Sequence, residues 1–364
     1  MTTTPRTAGN YTFYATTEYY QKLIKDITGA PSGSRILLAT MAFDPKNPVI
    51  ALLSSALDAA AQRGCQVTLE IDAYVFLVDE DKRPGPLFYR NSLPSKLSGI
   101  FADIQASVTM LRNSGVDVVI TNPPSRHLSS PFAGRSHIKA SLINDVVYLG
   151  GCNLSSMHSD IMVRWQDAQT ANWLYTLLQS RSENPRSLEA FGKTDIRQPL
   201  DSTSEIIIDV GVKHQSAIYK QALETIDSAK EWLVITCQYF PNSVTAKHLK
   251  QAHDRGVKVY PIFNHYSAHS NVHAYLQHAV TTRERLRMPT SFFLGELKRG
   301  DNYLHAKVLA TENEAMIGSH NYVTAGVNFG TAEIALHVQN AGFSKAAARC
   351  ILDETNLLKV GPPL

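Results

Sequence analysis

One constellation is written twice in this 364-residue chain, 168 residues apart. His137, Lys139, Asn144, Gly150, Gly151 and Asn153 in RSHIKASLINDVVYLGGCN recur as His305, Lys307, Glu312, Gly318, Ser319 and Asn321 in YLHAKVLATENEAMIGSHN, every pair at that same offset. Six coincident offsets point to a duplicated half-molecule whose equivalent segments occupy equivalent places, with one site assembled from both halves.

In a strand, residues two apart leave the same face. The His and Lys of HIK and HAK are therefore expected to point together while Ile138 and Ala306 turn away. Asn144-Asp145 and Glu312-Asn313 supply turn residues, and VVYLGG and EAMIGS read as returning strands that end in small residues. Each hairpin then returns its Asn, and in the second half Ser319, beside the His-Lys pair. Two such hairpins face to face present two His, two Lys and two Asn to one point. That set suits a phosphodiester: cations and amide donors hold the oxyanion, a neutral imidazole attacks, and a protonated one serves the leaving alkoxide.

On these residues the chain resembles the phospholipase D superfamily, whose hallmark is a duplicated HxKx4D followed by GSxN. GGCN (150–153), TCQYFPN (236–242), AAQRGCQVTLEID (60–72) and AHDRGVKVYPIFN (252–264) are similar to segments of its bacterial cardiolipin synthase branch. The resemblance runs from about Tyr19 to about Val338. It implies that one motif histidine attacks phosphorus to form a phosphohistidine while the other protonates the departing alcohol and deprotonates the incoming one. His137 is expected as nucleophile and His305 as acid/base. Lys139, Lys307, Asn153 and Asn321 are expected to hold the phosphoryl oxygens, with Ser319 a supporting contact. Relatives place an acidic residue downstream of each motif against the far nitrogen of its histidine, and Asp160 and Glu333 fit that role, fixing the tautomer. The scheme calls for no metal and no cofactor. The acidic position of HxKx4D is Asn144 in one half and Glu312 in the other, a position read as structural, tying down the hairpin.

The fold is expected to be α/β, because strand-like and helical runs alternate in each half. ILLATMAF (36–43), VTLEID (67–72) and VDVVIT (116–121) bracket helical patterns at 48–62 and 95–113. WLVITCQYF (232–240), VKVYPIF (257–263) and TSFFLGE (290–296) do the same around helices near 244–254 and 271–286. Two phospholipase D-like α/β sandwich halves, 1–185 and 205–364, are expected to pack about a pseudo-two-fold axis, joined by a polar linker over 186–204 rich in turn formers. Leu97, Ile100, Phe101, Ile104 and Val108 form a helical stripe read as packing against the sheet.

The net charge of +3, from 35 basic and 32 acidic residues, argues against a chain built mainly to coat nucleic acid. Arg283, Arg285 and Arg287 read as a solvated helix face. The sequence has no apolar run of 18 residues, and MTTTPRTAGNYTF lacks the pattern of a signal peptide. A soluble, cytoplasmic protein that meets a bilayer only at its surface is expected. Cys65, Cys152, Cys237 and Cys350 form no CxxC, so reduced thiols are expected. His265, His269 and His273 are four residues apart and carry three readings: zinc ligands, head-group contacts or ordinary surface histidines.

The substrates expected are a glycerophospholipid with an alcohol or water, giving phosphatidyl transfer or hydrolysis. A metal-independent nuclease acting on nucleic acid, and a non-catalytic phosphate-binding module, are the alternatives.

Overall fold

The computed structural model describes residues 6–76, 100–122, 134–183, 192–241, 243–268, 271–298, 300–359 and 361–362. The first half contains β1 (Arg6–Ala8), β2 (Tyr11–Ala15), α1 (Thr16–Thr28), β3 (Arg35–Thr40), α2 (Pro48–Gln62), β4 (Gln66–Asp72), α3 (Ile100–Asn113), β5 (Asp117–Thr121), β6 (Ala140–Ile143), β7 (Val146–Gly150), β8 (Ile161–Gln166) and α4 (Ala168–Glu183). The second contains β9 (Ile196–Pro199), β10 (Ser204–Val210), α5 (Ala217–Ser228), β11 (Trp232–Cys237), α6 (Ser243–Asp254), β12 (Lys258–Asn264), α7 (Asn271–Arg285), β13 (Gly295–Leu297), β14 (Val308–Thr311), β15 (Ala315–Gly318), α8 (Thr324–Phe329), β16 (Ala332–Val338) and α9 (Ala341–Glu354).

The duplication extends far beyond the motif. One sheet has the order β1-β2-β8-β7-β6-β3-β4-β5, and the other, read from its matching edge, β9-β10-β16-β15-β14-β11-β12-β13. The β3–β4–β5 and β11–β12–β13 runs are parallel, as crossover helices require, while the motif hairpins β6–β7 and β14–β15 are antiparallel.

Alternation along the strands sorts side chains into three cores. Ile36 and Leu38 of β3 join Leu23 and Ile27 of α1 and Leu53 and Leu57 of α2 in one cluster. Leu233 and Ile235 of β11 meet Ile218 and Ile226 of α5 and Leu249 of α6 in another. The opposite faces, with Leu37, Leu142 and Leu149 from one half and Val234, Val308 and Ile317 from the other, share a third. The α/β sandwich halves thus meet sheet to sheet. Burial of each such aliphatic side chain stabilises by roughly 1.5–3 kcal/mol. Helix α9 closes the seam, its Phe343 lying 5.0 Å from both Tyr11 and Phe13 of β2.

Three expectations need correction. TSFFLGE is not one strand: Thr290–Phe293 is a 3-10 turn, closed by the Phe292 amide on the Pro289 carbonyl at 3.0 Å, and only Gly295–Leu297 pairs with β12. A short continuous apolar run has no periodicity to separate a buried turn from a strand. Ile196–Pro199, within the stretch read as linker, pairs with β10 as the edge strand of the second sheet. The strands in ILLATMAF and WLVITCQYF end early, at Thr40 and Cys237. In the helical stripe, Ile104 and Val108 are buried as expected, whereas Leu97 lies outside the described residues. Among the described residues, no helix is long and apolar enough to cross a membrane.

Candidate active site

The two motif hairpins converge on the seam. His137 and His305 face each other with ring centroids 6.4 Å apart, and both are buried. The HIK and HAK tripeptides lie just ahead of β6 and β14 rather than inside strands as expected. Each bonds instead to the other half, the His137 amide to the Ala332 carbonyl at 2.8 Å and the His305 amide to the Ser159 carbonyl at 2.9 Å. Ile138 and Ala306 enter the shared core.

The carboxylates reverse the expected pairing. Glu333 Oε2 lies 2.9 Å from His137 Nδ1, and Asp160 Oδ2 lies 2.7 Å from His305 Nδ1. Each acid therefore serves the histidine of the opposite half. The physical reason is the seam itself: the chain before each acid runs beside the opposite HxK segment, bridging Ser136 to Ala332 and Ser159 to Leu304.

The small residues of the motif are demanded by this packing. A Cβ at Gly150 would stand 2.1 Å from the Ile161 carbonyl, and one at Gly318 2.2 Å from that of Ile334. At Gly151 it would stand 2.2 Å from Asp160 Oδ1, so the shorter acid needs glycine beside it. The longer Glu333 leaves room for Ser319, which donates its hydroxyl to Glu333. Ser319, expected as a phosphate contact, is fully buried and positions the carboxylate instead.

Lys139 Nζ donates to the His137 carbonyl at 2.8 Å, and Lys307 Nζ to the His305 carbonyl. Both ammonium groups are buried. Asn153 and Asn321 are half-buried, and the Oδ1 atom of each is buried without a hydrogen-bond partner among the described residues. A matched pair of unsatisfied amide oxygens is unusual in a protein interior and gives the site two acceptors for a hydrogen-bond donor.

The other pair at the shared offset lies at the far end of each hairpin. Asn144 Oδ1 accepts the Arg35 amide at 3.0 Å, while Glu312 accepts the amides of Lys230 and Glu231 at 3.0 and 3.3 Å. Both hold the neighbouring strand, as expected of a structural position.

Sequence reading missed a second pair that sets the histidines. Asp72 Oδ2, at the end of β4, accepts the Ser136 amide at 2.7 Å, and Asn264 Oδ1, at the end of β12, accepts the Leu304 amide at 2.9 Å. Arg135 also reaches Asp72, at 3.1 Å. The available signal was that both strand signatures end in Asx. It also missed His158, whose ring lies 5.9 Å from that of His305. His265 bonds Ser267 through Nδ1, while His269 and the side chain of His273 lie outside the described residues.

Burial dominates the electrostatics. It pushes His137 down to about 4, with Lys139 and Lys307 adding to the effect against Glu333. His305 is driven well below its ordinary value by burial, the two lysines, His158 and His137. Burial pushes Asp160 up to about 6 against Lys307, and would raise Glu333 too, but His137, His320 and Lys139 hold it at about 2. Lys307 is pushed down to about 8 by burial, against the pull of Asp160 and Glu333. At neutral pH both imidazoles are therefore neutral. With Nδ1–H donated to a carboxylate, each offers a free Nε2 lone pair. An anion entering between two lysines and two imidazoles adds negative charge beside the rings and draws a proton onto one of them.

Residues 222–351 match the family model described as cardiolipin synthase, PLD-like domain. Among solved structures, the chain is similar to phosphatidylserine synthase from Haemophilus influenzae Rd KW20, at 13% identity over 97% of this chain and 86% of that one, with a TM-score of 0.66. It is also similar to polyphosphate kinase from Porphyromonas gingivalis, at 14% identity over 92% of this chain and 48% of that one, with a TM-score of 0.53. Both likenesses are of fold. No curated protein matches the chain in sequence.

Proposed function

We propose that this chain is a phospholipase D superfamily member that moves the phosphatidyl group of a glycerophospholipid, through a phosphohistidine, to an alcohol or to water. The observation that carries this reading is the crosswise pair of imidazole–carboxylate contacts. They orient two neutral rings whose centroids lie 6.4 Å apart, beside two buried lysines.

His137 is the nucleophile. Its partner Glu333 is held as a carboxylate and receives the Ser319 hydroxyl, which fixes the Nδ1–H tautomer and leaves Nε2 free to attack phosphorus. His305 is the acid and base. Asp160, with its pKa near 6, makes this second pair the one that carries a mobile proton. The ring is protonated once the phosphate anion binds, gives its proton to the leaving alkoxide, and then takes one from the incoming hydroxyl while the P–N bond to His137 breaks. The ammonium groups of Lys139 and Lys307 and the Nδ2 donors of Asn153 and Asn321 hold the non-bridging oxygens, whose charge grows in the transition state.

The test is incubation with phosphatidylglycerol vesicles in EDTA, and separately with a labelled single-stranded oligonucleotide, with His137→Ala as control. Lipid turnover lost in the variant is the expected result. The loss should be at least about 10²–10⁴-fold, the contribution of a positioned acid or base alone. Oligonucleotide cleavage with intact lipid would overturn the lipid reading in favour of a nuclease.

A further inference from the structure

We propose that His158 and Tyr303 form the wall that receives the alcohol beside His305, and so set the partition between transfer to a small hydroxylated head group and hydrolysis by water. This rests on the phosphohistidine reading above.

His158 lies with its ring 5.9 Å from that of His305 and 4.8 Å from that of Tyr303. Gln238 Nε2 donates to the Tyr303 hydroxyl at 2.9 Å. All three side chains are half-buried, beside a histidine that is itself buried. The wall is also welded to the site, because the Ser159 amide bonds the Tyr303 carbonyl at 2.8 Å.

Pseudo-symmetry exposes what is special here. The Ser159–Leu304 and Ser136–Ala332 bridges are equivalent, so His158 corresponds to Thr331 and Tyr303 to Arg135. Beside His137 the wall is therefore a small hydroxyl and a buried guanidinium held by Asp72. Beside His305 it is an imidazole and a phenol. Equivalent positions beside the two histidines carry different side chains, as expected where the two ends of a substrate differ. Flat rings with hydrogen-bonding edges cover the C–H faces of a small polyol and bond its hydroxyls, which displaces water from Nε2 of His305. In that step the alcohol gives its proton to His305 as its oxygen bonds phosphorus and His137 departs. Bound water would react in the same way, so occupancy of the wall decides the product.

The experiment follows the ratio of labelled phosphatidylglycerol to phosphatidic acid formed from unlabelled phosphatidylglycerol vesicles as labelled glycerol is raised, in wild type, His158→Ala, His158→Gln and Tyr303→Phe. The ratio at a common intermediate is independent of how fast that intermediate forms, so a merely structural defect leaves it unmoved. His158→Ala should shift the partition about tenfold towards hydrolysis, the effect of losing about one good hydrogen bond. His158→Gln should recover part of it. An unchanged ratio in both His158→Ala and Tyr303→Phe would overturn the proposal, as would a wild type that makes only phosphatidic acid at every glycerol concentration. Failure of the underlying reading is separate, since wild type would then carry no phosphatidyl label on His137.

Discussion

At the scale of single residues, the site is a balance between burial and charge. Lys307 is the clearest case, since burial brings its ammonium down to about 8, within reach of ordinary buffers. It serves the anion only while protonated, so kcat/KM, which reports the free enzyme, should fall as pH rises through about 8. On the acid side it should decline below about 6 as Asp160 takes up a proton, and fail near 4, where His137 does. Lys307→Arg, whose guanidinium stays charged, should move the alkaline limb upward even if the plateau drops. A limb that stays in place would show that Lys307 is not the group responsible. These side chains were legible in the sequence because the chemistry dictates their types. Their partners were not: Asp160 and Glu333 were found, yet each was assigned to the wrong histidine. A motif read in chain order says nothing about which half faces which, and these acids do not share the common offset. Helix α8 stands between Asn321 and Glu333, where the first half runs from Asn153 to Asp160 without a helix.

At the scale of elements, strands were legible where alternation or length was decisive, as in β4 and β12, and helix α2 matches its expected span of 48–62. Thr290–Phe293 was not, because its turn is stabilised by burying Phe292 rather than by periodicity. Strand β16 carries an independent electrostatic feature. His337 bonds Glu205 at 3.1 Å through Nδ1 and Glu314 at 2.6 Å through Nε2. Burial opposes its charge, but the two carboxylates win and raise its pKa. Its contribution to stability is therefore full below about 6.5, the value in an unfolded chain, and is lost as pH rises through the higher folded value. Glu314 is shifted down by His337 and Ser228 despite burial. Its share is present above about 4.5 and lost as pH falls through the lower folded value. Between those limits His337→Ala should cost about 3 kcal/mol, as expected for breaking a buried pair. Denaturation at pH 6 and pH 9 checks this: the loss should be smaller at pH 9, and an equal loss at both would show that packing alone is at stake.

At the scale of the whole molecule, the repeated constellation made the duplication readable, and the two eight-stranded sheets repeat one strand order over nearly their whole extent. What sequence periodicity could not convey is how tightly the halves depend on each other. Leu142 and Ile317 share a core across the seam, each backbone HxK segment bonds the opposite half, and each histidine takes its carboxylate from the other repeat. One half alone holds a histidine without its acid. The central claim is that this interlocked site forms a covalent intermediate on one defined ring. The most direct measurement is a rapid denaturing quench of the protein turning over labelled phosphatidylglycerol, followed by peptide mapping of the adduct. The phosphatidyl group is predicted on His137 in wild type, on His137 in His305→Ala when the labelled substrate carries a good leaving group that needs no proton, and absent in His137→Ala. An adduct on His305, or turnover with no adduct on either ring, would contradict the account.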